Sequence, residues 1–201
     1  GGAELLEEMF RSPLSDAAAI NARSTTIRAF SEQNIRFPYE AEWFDAAEQH
    51  LQNTDERTKL NDQDHNLGSR FNHLIAADTE YKAIEKGVIS LISILQATKA
   101  FADCIRQQVA DIPYSKEVTA IDTLLQHTAL QPLLQEHTRQ KFPFARVAEY
   151  DKILRFRQRD VMKRLLQLLY QTDVYISVAR IATEKKFSFP LALPREKQSV
   201  I

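Results

Sequence analysis

One cysteine, Cys104, is all that the 201 residues contain. No intrachain disulfide can form, and a cysteine-based zinc cluster is excluded. A reducing, cytoplasmic setting is the simplest reading. Glycine and proline are scarce as well, at four and seven residues. That is too few for a β-rich or loop-rich fold, whose turns depend on them. Neither a Gly-x-x-x-x-Gly-Lys-Ser/Thr phosphate loop nor a Gly-x-Ser-x-Gly nucleophile elbow occurs, so no catalytic residue is expected here. No apolar run approaches the ~20 residues of a membrane span, and no basic-then-apolar leader opens the chain. The net charge of -1 gives no global attraction for polyanions.

What the chain does have is helical periodicity. Leu5, Leu6, Met9 and Phe10 fall at helical spacing and Pro13 stops them. Ser15 or Asp16 then caps a second helix, with Ile20, Ile27 and Phe30 on one face, to about Gln33. Phe37-Pro38 is a break, and the next helix turns Trp43, Phe44, Ala47 and Leu51 inward. Residues 53–66 are polar and acidic and predict a loop or a frayed helix.

Two long stripes come next. The first runs through Leu74, Tyr81, Ile84, Val88, Leu91, Ile92, Leu95, Ala102, Ile105 and Val109, with Thr98 in its one gap and Gly87 as a weak point or kink. The second, from Phe144 to Lys186, carries Leu154, Val161, Leu165, Leu168, Thr172, Ile176 and Ala179. At ~1.5 Å per residue it predicts one helix ~60 Å long. Packed antiparallel, the two bury each other's stripes. The predicted fold is all-α: an elongated bundle of two long lever helices with a small helical core at one end. Its segments are core helices over 1–66, an outgoing helix over 67–110, a helical connector over 111–143, a returning helix over 144–190 and a link over 191–201.

Two motifs give this pattern a family likeness. The first is Gly2-x-x-Leu5-Leu6, then Pro13-Leu14-Ser15-Asp16, then Ile20, Arg23, Ile27 and Phe30. The second is Asp173, the step Ser177-Val178-Ala179, then Ile181-Ala182 and Phe187-Ser188-Phe189-Pro190. Together they resemble the two ends of the core and lever domain of MutS-type mismatch-repair ATPases. The likeness covers 1–34 and 165–190; between them the match is to long helices only. It departs at 111–141, which is too short and too leucine-rich for the family's mainly β clamp. The resemblance implies a non-catalytic domain of a longer protein, whose ATPase domain follows Ile201 and holds ATP and Mg. It also implies a homodimeric parent, a partner in double-stranded DNA, and no membrane. The rival class is a helical protein–protein interaction scaffold unrelated to DNA repair.

Candidate sites are few. Lys152, Arg155, Arg159 and Lys163 fall on one face of the returning helix, a row that suits DNA phosphates. Lys141, Arg146, Arg157 and Arg164 add to it. Glu40, Glu42, Asp45, Glu48, Asp55, Glu56, Asp62 and Asp64 form an acidic counter-surface that a merely solvated row would pair with. The five histidines, His50, His65, His73, His127 and His137, are scattered without ligand spacing. Asp62, Asp64 and His65 are the nearest thing to a metal cluster, and sit in a hydrated segment. Cys104 reads as structural. Asp16 reads as a helix cap, and Arg23 as one half of an internal ion pair.

Overall fold

The computed structural model describes residues 2–60, 71–108, 113–138 and 140–194, apart from the side chains of Arg57 and of 71–77. Leu74 as a core residue, Val109, and the expectations for 61–66 and 195–201 lie outside the described residues. All regular structure in the described residues is helical: α1 (Gly2–Arg11), α2 (Ala17–Glu32), α3 (Ala41–Gln52), α4 (Phe71–Gln108), α5 (Ser115–Leu125), α6 (Gln131–Leu134), α7 (Phe144–Asp151) and α8 (Arg159–Lys185). Single 3-10 turns occupy Glu56–Thr58 and Thr128–Leu130. The fold class is all-α, as the periodicity predicts.

Local chemistry sets the helix ends. Pro13 separates α1 from α2, and the Asp16 carboxylate accepts from the Ala19 N–H at 2.7 Å, capping α2 as expected. At its other end Asn34 takes the left-handed conformation (φ 49°). Asn34 N–H then bonds the Ser31 carbonyl, and Ile35 N–H bonds that of Phe30, at 3.2 and 3.0 Å. This is the paired closure of a Schellman motif, with buried Phe30 and Ile35 as its apolar contact. Lys186 (φ 54°) repeats it at the end of α8, where Phe187 N–H reaches the Ala182 carbonyl at 2.9 Å.

The stripe over the outgoing helix becomes α4. Its part Asp78–Gln108 contains an 18-residue window apolar enough, by length and composition alone, to cross a membrane, a correction to the expectation that no run approaches that length. Val88, Leu91, Ile92, Ile94 and Leu95 are wholly buried in the protein. Thr98, in the gap of the stripe, is also fully buried. Its hydroxyl donates to the Ile94 carbonyl at 2.6 Å and accepts from Tyr39 Oη at 3.1 Å. Burial pushes the Tyr39 phenol well above its ordinary range.

The returning stripe is not one helix. α7 passes into a π-helical segment, Lys152–Arg157, and α8 starts afresh at Arg159. Gln158 between them has left helical geometry (φ -115°, ψ 20°).

The chain forms two compact units. The first comprises Gly1–Pro38, Phe101–Asp122 and Gln167–Ile201. Tyr114 is central to it: the ring meets Phe30 edge-on at 5.0 Å and Tyr175 at 6.4 Å, and the hydroxyl bonds that of Thr172. The second comprises Tyr39–Ala100 and Thr123–Leu166. Its core holds Phe44, Leu51, Leu91, Leu95, Leu130, Leu133, Leu154 and Leu165. The segment 1–66, expected as one set of core helices, is therefore divided after Pro38. Trp43, expected inward beside Phe44, is only half-buried.

Candidate functional site

The basic row does not survive as a row. Gln158 N–H donates to the carbonyl of Ile153, five residues back, at 2.8 Å. The extra residue in that turn rotates the succeeding helix by about 100° relative to an unbroken α-helix. Lys152 and Lys163 are exposed, Arg159 is half-buried and Arg155 is 1% exposed. Arg155 is thus an internal tie rather than a phosphate contact, and Arg159 gives its Nε to another.

Arg155 grips Asp151 with two bonds of 2.7 Å, Nε to Oδ1 and Nη2 to Oδ2. Two further donors go to Thr58, Nη1 to Oγ1 at 2.7 Å and Nη2 to the carbonyl at 3.0 Å. The guanidinium also lies 4.6 Å from the Phe156 ring centre, with Lys59 Nζ 4.4 Å from the same ring. Arg159 Nε donates to the Leu51 carbonyl at 2.8 Å. That carbonyl is one of the orphans in the last turn of α3, where a cation is doubly favoured. Two arginines therefore fasten residues 51–58 to the π segment and the start of α8. The carboxylate that meets Arg155 is Asp151, not one of the acidic residues of 40–64.

His50, one of the scattered histidines, belongs to the same cluster. It is 5% exposed, and its Nε2 stands 3.1 Å from Asp151 Oδ1. The alignment is poor for a hydrogen bond, so Nε2 has no such partner. A cavity of about 250 Å³ beside it is lined by Gln49, Asn53, Glu80 and Lys86. Both Asp151 oxygens are engaged by the Arg155 fork, so the cluster acts as a clamp rather than as an acid–base pair. The same ring explains Gly87: a Cβ there would lie 2.5 Å from His50 Cβ and Cγ. Glycine lets α4 approach α3, which is a packing reason rather than a kink.

In the first unit, α1 and α2 meet α8 and the segment after it. Gly2 opens α1 against Asp173 of α8, and a Cβ on Gly2 would lie 2.9 Å from Asp173 Oδ2. Asp173 is half-buried, and burial holds its carboxyl above the ordinary Asp value. Ser31 and Thr183 share a hydrogen bond of 2.6 Å. Past α8 the chain is strapped to α2. Asn21 bonds both the N–H and the carbonyl of Ala192, at 2.8 and 2.9 Å. Arg28 donates to the Phe189 carbonyl at 2.9 Å and covers the Phe189 ring. No protein-family model, curated protein or solved structure matches the chain.

The other candidates resolve individually. Arg23 Nε is buried without a hydrogen-bond partner, and no ion pair for Arg23 is present among the described residues. Arg146 pairs with Glu136 at 3.2 Å, and Glu136 also accepts from Tyr150, whose phenol is pushed up by burial and by that carboxylate. Cys104 is half-buried. Among the described residues no three His, Cys, Asp or Glu side chains converge on a metal position; Asp62, Asp64 and His65 lie outside them.

Proposed function

We propose that this chain is the non-catalytic core and lever region of a MutS-like, DNA-associated ATPase. In this reading the two long stripes run antiparallel as an elongated lever, and the helices that carry the first motif form a small core at its base. One observation carries the proposal. Gly2 of the first motif and Asp173 of the second lie side by side, a Cβ on Gly2 falling 2.9 Å from Asp173 Oδ2. Two chance matches at opposite ends of a chain have no reason to meet at their signature residues. The bonds Ser31–Thr183 and Asn21–Ala192 extend the same seam.

The mechanism is transmission. ATP and Mg bind in a domain beyond Ile201 of the parent, and their binding displaces the base of α8 around Asp173 to Pro190. Close-packed helices pass a displacement on because their interfaces are not freely deformable. DNA or a partner subunit is met at the far end, and the exposed Lys152 and Lys163 supply sequence-independent phosphate contacts. The parent acts as a homodimer. An interaction scaffold would need its apolar stripes free for partners, whereas Leu91, Leu95, Leu154 and Leu165 are fully buried in this chain.

The test is the parent protein itself. Its sequence past Ile201 should contain Gly-x-x-x-x-Gly-Lys-Ser/Thr, and the intact protein should hydrolyse ATP while residues 1–201 alone do not. A parent without that loop and without ATP turnover refutes the proposal.

A further inference from the structure

A groove of about 480 Å³ lies in the first unit, between the last turns of α2, the segment after it and one face of α8. The transmission reading does not use it. Its floor is Phe30, Ile35 and Ile176, all buried. Asp173, Ser177 and Arg180 line it from α8 at steps of four and three residues, so they share a face. Arg180 stands two turns beyond Asp173, about 10.5 Å along the helix. Arg36, in the segment after α2, contributes a second guanidinium.

The charges in this groove are unspent. Arg36 and Arg180 are exposed, and neither has an ion pair or hydrogen bond among the described residues. Asp173 is half-buried, and no ion pair for it is present among the described residues. The α8 wall therefore carries a carboxylate at one end and a guanidinium at the other, over an apolar floor. A small anion would satisfy the arginines and leave Asp173 unanswered; a polyanion would meet repulsion there. A dipolar chain satisfies both ends. At ~3.3 Å per residue of extended backbone, 10.5 Å is about three residues.

We propose that this groove docks an extended peptide segment of a partner protein, with a basic residue at Asp173, apolar residues against the edges of Ile35 and Ile176, and an acidic residue about three positions away at Arg180 and Arg36. Opposite charges set the direction of the segment, and the apolar floor holds its middle. A volume of this size takes a short segment rather than a folded face.

The experiment uses fluorescein-labelled hexapeptides and the 201-residue chain. Their sequences are Ser-Arg-Leu-Val-Glu-Ser, its reverse, and a version with both charges replaced by Gln. Anisotropy titration should show one of the two charged peptides binding saturably, at least about tenfold tighter than the Gln version. R180E or R36E should abolish that binding, with the helical circular dichroism unchanged because both side chains are exposed. A peptide with Lys in place of Glu should then bind the R180E chain, and D173N should weaken the original peptide independently. Equal binding of all three peptides, or indifference to R180E and R36E, overturns the proposal. So does full displacement of the peptide by inorganic phosphate, which would mark a small-anion site.

Discussion

Arg155 and Asp151 form a forked, two-bond ion pair that water does not reach. It sits where α7 passes into the π turn, and Thr58 takes two further donors of the guanidinium. Removing one partner strands a buried charge, which costs about 3–5 kcal/mol. Asp151→Leu and Arg155→Met should each lower the unfolding free energy obtained from urea titration by that order. The double variant Asp151→Leu/Arg155→Met should be less damaged than the sum of the single ones, because neither charge is left alone. Additive losses would mean that the pair is not coupled.

Gly87 gives a prediction of unusual sign. In an exposed helix, Gly→Ala stabilises by about 1 kcal/mol. Here the new methyl collides with His50 Cβ and Cγ, and overpacking costs typically ~1–3 kcal/mol. Gly87→Ala should therefore lower the melting temperature, and the same change should cost less in a His50→Gly background, which removes both colliding atoms. A stabilised Gly87→Ala would show that α3 and α4 do not approach as described.

DNA contact and stability should separate along the former basic row. Lys152→Ala and Lys163→Ala are exposed changes and should leave stability within about 0.5 kcal/mol. If the parent binds duplex DNA through this face, each should reduce the steepness of the salt dependence by about one phosphate contact. Arg155→Ala should instead unfold the protein more easily. Equal salt slopes for the parent and for Lys152→Ala/Lys163→Ala would remove this face from the DNA path.

Asp173 makes stability depend on pH. Its carboxyl is held above the ordinary value of 3.8 by burial, so the folded state keeps the proton more tightly than the unfolded one. The contribution is complete below the unfolded pKa and is lost as pH rises through the folded pKa. Relative to Asp173→Asn, the native chain should lose stability as pH is raised from 3.8 upward. Thermal melts of the two proteins across that range check it; parallel curves would contradict it.

The helices are largely legible in the sequence because i, i+3, i+4 stripes record burial directly, and α1–α5 fall where apolar spacing, Pro13 and Asp16 put them. The π turn is not. It inserts one residue into a stripe that remains apolar on both sides, and its cause is tertiary: Arg155 reaching Thr58 from far away in sequence. One clue is local, since Asp151 and Arg155 are four apart and form a natural helical pair. The neighbouring Lys152, Arg159 and Lys163 mask it by suggesting a solvated row. His50 is equally hidden, because burial of a histidine depends on what faces it, and Gly87 lies far along the chain. The meeting of Gly2 with Asp173 joins residues far apart in the sequence, which no local pattern reports.

The central claim, that this chain passes ATP-driven movement from a neighbouring domain along α8, is tested most directly by hydrogen–deuterium exchange on the intact parent with and without ATP. The account predicts that ATP changes amide exchange in α8 from Asp173 to Lys185 and in α1 beside it. Exchange that ATP alters only outside residues 1–201, with α1 and α8 unchanged, would contradict it.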